Sequence, residues 1–132
     1  GVRDGVALQQ DPDRLPDPLP EERLLALYRE DPRPKSLDDF PELIAHLRRL
    51  HPIRYRYLFD GLKAVYLRGL EPLHDQNDAL RFVHFVDQLY NLGLDLKASG
   101  APLKDLFPES YRHGAFAKKY GRALSRLAEL LG

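Results

Sequence analysis

The sequence predicts an α/β fold, a small and mainly parallel sheet (a βαβ unit) with helices packed on it. Three observations carry this. Lys63-Ala64-Val65-Tyr66-Leu67-Arg68-Gly69 is rich in β-formers. A long helical pattern follows, opened by Asp75-Gln76-Asn77-Asp78 and closed by Gly93. Then Leu94-Asp95-Leu96-Lys97-Ala98-Ser99 alternates as a strand does. Strand, helix and strand within about 35 residues make a crossover unit, which requires parallel strands and favours a right-handed connection.

Residues 1–19 read as an extended arm. Pro12, Pro16, Pro18 and Pro20 fix φ and remove donors there. Residues 2–8 are a candidate short strand within it. Residues 20–131 form the packed region. Pro20-Glu21-Glu22 is a good first helical turn, with acid near the positive helix end. Leu24, Leu25, Leu27 and Tyr28 supply its apolar side, and Asp31-Pro32-Arg33-Pro34 stops it. Ser36-Leu37-Asp38-Asp39 then resembles a capping box, so a second helix is expected to open there. Phe40, Leu43, Ile44, Leu47 and Leu50 recur at helical spacing until His51-Pro52. One more short helix is expected over residues 53–58.

In the central helix Ala79, Phe82, Val83, Val86, Leu89 and Tyr90 form the apolar side, widened by Leu80 and Phe85. Arg81, His84, Gln88 and Asn91 form a narrow polar stripe. A short helical turn is expected over residues 102–107. The last helix, residues 115–131, has one apolar stripe of Phe116, Tyr120, Ala123, Leu124, Leu127, Leu130 and Leu131. Two parallel strands make a poor core by themselves. Either the N-terminal stretch adds a strand, or a further part of a longer protein covers an edge.

The composition excludes several chemistries. Hydrophobic residues at 43% and charged residues at 30% suit a packed domain. Lys+Arg and Asp+Glu are both 20, so the bulk charge attracts neither nucleic acid nor an acidic membrane, and no nucleic-acid partner is expected. No Cys is present, which removes disulfides, thiolate catalysis and zinc-thiolate sites. His46, His51, His74, His84 and His113 lack metal-ligand spacing, so no metal site is expected. Ser36, Ser99, Ser110 and Ser125 are isolated from any nucleophile motif, so no catalytic residue is named. Gly61-Leu62-Lys63-Ala64 is the one echo of a phosphate-binding loop. It lacks the earlier glycine and the Ser/Thr that would hold Mg²⁺, and the chain has no Thr. No apolar run approaches the length of a membrane span, and no signal peptide is visible. The lack of any Met leads to the expectation of a fragment or processed chain.

Four groups of charges are candidates. Asp87 lies at the edge of the polar stripe and is either an ion pair that holds the helix or a charge at a nucleotide or partner site. Glu71, Asp75 and Asp78 follow the first strand, where they either cap the helix or hold Mg²⁺; Asp75, Asp78 and Asp87 are read as structural charge. Lys118, Lys119, Arg122 and Arg126 on the last helix are candidates for binding a partner, against the alternative of a solvated face. The same basic helix leaves open a small phosphate-binding domain.

The run from Asp75 to Tyr90, with Asp75, Asp78, Ala79, Arg81, Phe82, Asp87 and Tyr90, then Ser99, Pro102-Leu103 and Ser125-Arg126-Leu127, resembles the C-terminal region of ZapE-type (AFG-like) P-loop ATPases. The resemblance covers about residues 50–131 and is looser before that. It implies a fragment of a P-loop ATPase whose Walker A and B segments lie N-terminal to this region. ATP and Mg²⁺ would then belong to the parent, and this chain alone would hold no cofactor and be inactive. The implied partners are the N-terminal ATPase half of the same protein and a division-ring or other protein. The implied setting is cytoplasmic or membrane-peripheral, in cell division or protein quality control. Arg81 and Arg126 become candidates for contacting nucleotide or a neighbouring subunit, because an arginine fork pairs phosphate oxygens. The rival reading is a non-enzymatic interaction module.

Overall fold

The computed structural model describes residues 15–132. The strand expected at residues 2–8 lies outside them. Within them a three-stranded parallel sheet has the order β1-β2-β3, with β1 at Lys35–Asp39, β2 at Ala64–Leu70 and β3 at Asp95–Gly100. Four α-helices accompany it: α1 (Glu21–Glu30), α2 (Phe40–Arg48), α3 (Gln76–Asn91) and α4 (Ala117–Leu131). Short 3-10 turns occupy Pro52–Phe59, Leu103–Asp105 and Glu109–Arg112.

The expected helix start at Ser36-Leu37-Asp38-Asp39 is corrected: these residues belong to β1, paired in register with β2 from Lys35↔Ala64 to Asp39↔Arg68. The physical reason is long-range. A central strand offers a full ladder, and Leu37 joins Tyr66 and Leu24 in a cluster on one sheet face. Helix α2 opens only at Phe40, with Pro41 in its first turn, where a missing N–H costs nothing. It ends at Arg48, so Leu50 lies beyond it. The third strand answers the poverty of a two-stranded core. Leu19, inside the expected arm, adds a single parallel bridge to Ser99 on the other side of β3.

Strand β2 is central and buried on both faces. Val65 and Leu67 point into the main core with Phe82, Val86, Leu96 and Leu127. Ala64 and Tyr66 point the other way, under Leu24, Leu27 and Tyr28 of α1. The layers are therefore α1, the sheet, then α2, α3 and α4. Polar contacts fasten α1 as well. The Lys35 ammonium donates to the Tyr28 and Asp31 carbonyls at the helix end, where a cation suits the dipole. The Tyr66 hydroxyl donates to the Asp31 carboxylate at 2.6 Å. Arg33 grips the same carboxylate through Nε and Nη2. Those bonds, the arginine's first, hold the Asp31 carboxyl well below the usual range. Burial first, then the Asp31 bond, pushes the Tyr66 phenol up to about 12.

The β2–β3 ladder shifts between Leu67 and Leu70, where two residues of β2 face one of β3. Gly69 takes φ +82° there, and its N–H donates to the buried Ser99 hydroxyl at 3.1 Å. Gly100 has φ +116°, and a Cβ on it would lie 2.2 Å from the Leu70 nitrogen. Only glycine allows this backbone approach. Gly100→Ala is expected to cost about 3 kcal/mol, from strain and overpacking together. Urea unfolding would measure it, and a loss under about 1 kcal/mol would show that the strand ends can part without penalty.

Candidate functional site

Open parallel sheets bind ligands beyond the carboxyl ends of their strands. Here that edge is made by the start of α2, the loop after β2, the start of α3 and the loop after β3. A cleft of about 290 Å³ lies between Phe40, Pro41, Ile44, Arg48, Asp78 and the residues from Glu71 to His74. A second, of about 550 Å³, lies on the other side of that loop between Pro72, His74, Lys104, Phe107, Glu109 and Arg112. A hollow of about 110 Å³ beside Leu19, Lys97 and Leu131 is too small for most organic ligands.

Asp78 organises the first cleft. Arg48 lies along α2 and forks onto it, Nε to Oδ1 at 2.9 Å and Nη2 to Oδ2 at 2.6 Å. Arg81, one turn along α3, adds Nη1 to Oδ1 at 3.0 Å. The Asp78 side chain is 7% exposed and that of Arg48 is 55%, so a buried carboxylate is neutralised from the surface. The Arg48 bonds foremost, opposed by burial and helped by Arg81, keep the Asp78 carboxyl below its ordinary value. Arg48 rises correspondingly, chiefly through the same bonds. Asp75 caps α3, its Oδ1 accepting the Asp78 N–H at 3.0 Å.

This arrangement does not fit a nucleotide's phosphates. The positive end of α3, where a phosphate would sit in a P-loop protein, already holds Asp75 and Asp78. Glu71 adds a further carboxylate to the cleft wall. Among the described residues, no group of three or more His, Cys, Asp or Glu could hold a metal ion.

The other sequence candidates fall in two places. Arg126 Nη1 meets Asp87 Oδ1 at 2.5 Å, and its guanidinium lies 4.9 Å from the Tyr90 ring centre. This pair ties α4 to α3 and is a quarter or less exposed on each side. Lys118, Lys119 and Arg122 are exposed at the start of α4, with the Lys119 ammonium 5.7 Å from the Phe116 ring centre. The structure thus separates Arg126 from the three residues it accompanies in the sequence reading. Arg81 is not in the first cleft's lining but behind it, on Asp78.

Two participants are missing from the sequence candidates. Arg48 stands 30 positions before Asp78; its one signal is its place at the edge of the α2 apolar stripe, four residues after Ile44. Ser99 is buried, and its role on the bulge N–H has no local signature.

These pairings predict distinct stability effects. Asp78→Asn is expected to cost about 2 kcal/mol near pH 7, since two cations lose their carboxylate. The Asp78 carboxyl is held below 3.8, so its contribution is complete above that value and fades as pH falls through the lower folded value. The gap between wild type and variant, read by chemical unfolding, should therefore narrow as pH falls below 3.8. Arg126→Ala is expected to cost about 1–2 kcal/mol and Arg122→Ala under about 0.5. Equal losses would contradict the separation of these two arginines.

A model of the AFG1-like ATPase family matches residues 21–132. No curated protein and no solved structure matches the chain significantly.

Proposed function

The chain belongs to the AFG1-like ATPase family, and on that premise we propose that it is the C-terminal α/β region of a ZapE-like member. ATP binding and hydrolysis then reside in a Walker-bearing part of the parent, linked to cell division or protein quality control. This chain supplies packing and a partner face. The observation that carries the reading is the family match over a sequence without G-x-x-x-x-G-K-[ST], folded so that its helix-start position is filled by Asp75.

The division of labour follows from charge. A polyphosphate with Mg²⁺ needs backbone N–H groups and cations converging on it. The carboxyl edge of this sheet offers Glu71, Asp75 and Asp78 instead, with Arg48 and Arg81 drawn onto Asp78. Arg81 makes one contact, to Asp78, and keeps donors for a nucleotide or neighbouring subunit held by the rest of the parent. Arg126 is committed to Asp87 and is a poorer candidate for that role. The exposed Lys118, Lys119 and Arg122 favour the second reading, an interaction module without activity of its own.

Titration calorimetry of this chain with Mg-ATP tests the proposal. The expected outcome is no heat of binding at millimolar nucleotide. Saturable binding in the micromolar range would overturn the assignment of the nucleotide site to another part of the parent.

A further inference from the structure

We propose that the 3-10 element Pro52–Phe59 is a docking surface for an acidic protein segment that carries carboxylates beside an aliphatic or aromatic side chain. Residues 43–59 contain four arginines and two histidines and no Asp, Glu or Lys, in a chain whose overall charge is zero. Arg48 is spent on Asp78. Arg49 and Arg54 are exposed, and their guanidinium groups make no hydrogen bond or ion pair among the described residues. Among the described residues the Arg56 guanidinium meets its neighbour alone, its Nη2 donating to the Tyr57 hydroxyl at 2.9 Å and its centre 4.9 Å from that ring centre. The nearest carboxylate along the chain is Asp60, at the end of the element.

Apolar groups stand among these cations. Ile53 is 71% exposed and Tyr57 is 53% exposed. A single exposed apolar residue needs no explanation. Here the three-residue turn puts Arg54 and Tyr57 on one face and Ile53 and Arg56 on the next, so charge and apolar surface alternate on one element. The element is also held rigidly. Tyr55 is fully buried with its hydroxyl on the Leu47 carbonyl at 3.0 Å, and Phe59 packs on Phe85 with ring centres 5.0 Å apart. A surface ordered before binding loses little freedom when a partner arrives.

The chemistry selects the occupant. Arginine rather than lysine matches carboxylates bidentately, and arginine with tyrosine is the composition of interface hot spots. Strand-binding surfaces rely on successive stacking rings, and Tyr57 is the one exposed ring of this element. A bilayer calls for a broad apolar face, where this patch has one Ile and one Tyr. Acidic groups flanking an apolar side chain satisfy both halves of the surface.

Panning a random 12-residue peptide library on the immobilised chain tests this, with Arg54→Glu plus Arg56→Glu as the comparison. Both positions are exposed, and circular dichroism with a thermal melt checks that the variant folds. A second comparison, Lys118→Glu plus Lys119→Glu, controls for loss of charge elsewhere. The expected result is enrichment of peptides with Asp or Glu next to Leu, Phe or Trp. Their affinity should fall at least about tenfold in the arginine variant and in Ile53→Ser, and hold in the lysine variant. Three results would overturn the proposal: no acidic enrichment, equal binding by the folded arginine variant, or tighter arginine-dependent binding of a 12-nucleotide poly-U RNA or of phosphatidylglycerol vesicles.

Discussion

Burial of β2 on both faces is the constraint that the rest of the structure answers. Ala64, Val65, Tyr66 and Leu67 are each 2% exposed or less. An antiparallel hairpin could leave one face wet, but a parallel strand needs cover on both sides. The main helical layer comes from the crossover connections, which place α2 after β1 and α3 after β2. Among the described residues, no crossover helix lies on the opposite face. Helix α1, which precedes the sheet in sequence, covers it with Leu24, Leu27 and Tyr28, beside Leu19. That small apolar contact explains the concentration of polar fastening at its end, where Lys35, Arg33 and Tyr66 converge on Asp31 and the last helical carbonyls.

The same economy shapes the carboxyl edge. Parallel strands and the helices after them bring helix N-termini together, and this edge is the usual ligand site because those ends attract anions. Here the attraction is satisfied internally. Asp75 and Asp78 occupy the start of α3, and Arg48 and Arg81 then neutralise Asp78. An edge filled in this way gives stability to the α2–α3 contact and leaves little field for a phosphate. The reading proposed above, with nucleotide held by another part of the protein, accords with an edge filled in this way.

Much of the fold is legible in the sequence because its signals are local. Strand β2, its following helix and β3 announce themselves by a change of period, by Asp75 at the cap and by Gly93 at the helix end, where φ is +73°. Helix α4 shows a single apolar stripe, although Ser125 and Ala128 are more buried than Leu124 and Leu131. Strand β1 is illegible for a definite reason. Ser36-Leu37-Asp38-Asp39 reads as a cap when considered alone, and only the ladder to residues 64–68 makes it a strand. The site divides along the same line. Asp75 capping α3 is a three-residue relation and can be read directly. Arg48 with Asp78 spans 30 positions and Arg126 with Asp87 spans 39, and no periodicity within one helix encodes such a partner.

The arginines show why residue type alone could not assign the charges. Arg48 and Arg126 each end on a carboxylate of α3 because their own helices are packed against that one. Arg49 and Arg54 carry the same group, follow Arg48 within six positions, and meet no carboxylate among the described residues. Neutralisation is therefore a matter of what the neighbouring element brings. Helix α3 brings acids to α2 and α4 but presents Phe85 towards Phe59 of the 3-10 element. The charge left over collects where the neighbour is aromatic, on the 3-10 element, beside Ile53 and Tyr57. A zero net charge hides this segregation, because the sum over the chain is silent about which cations have found partners.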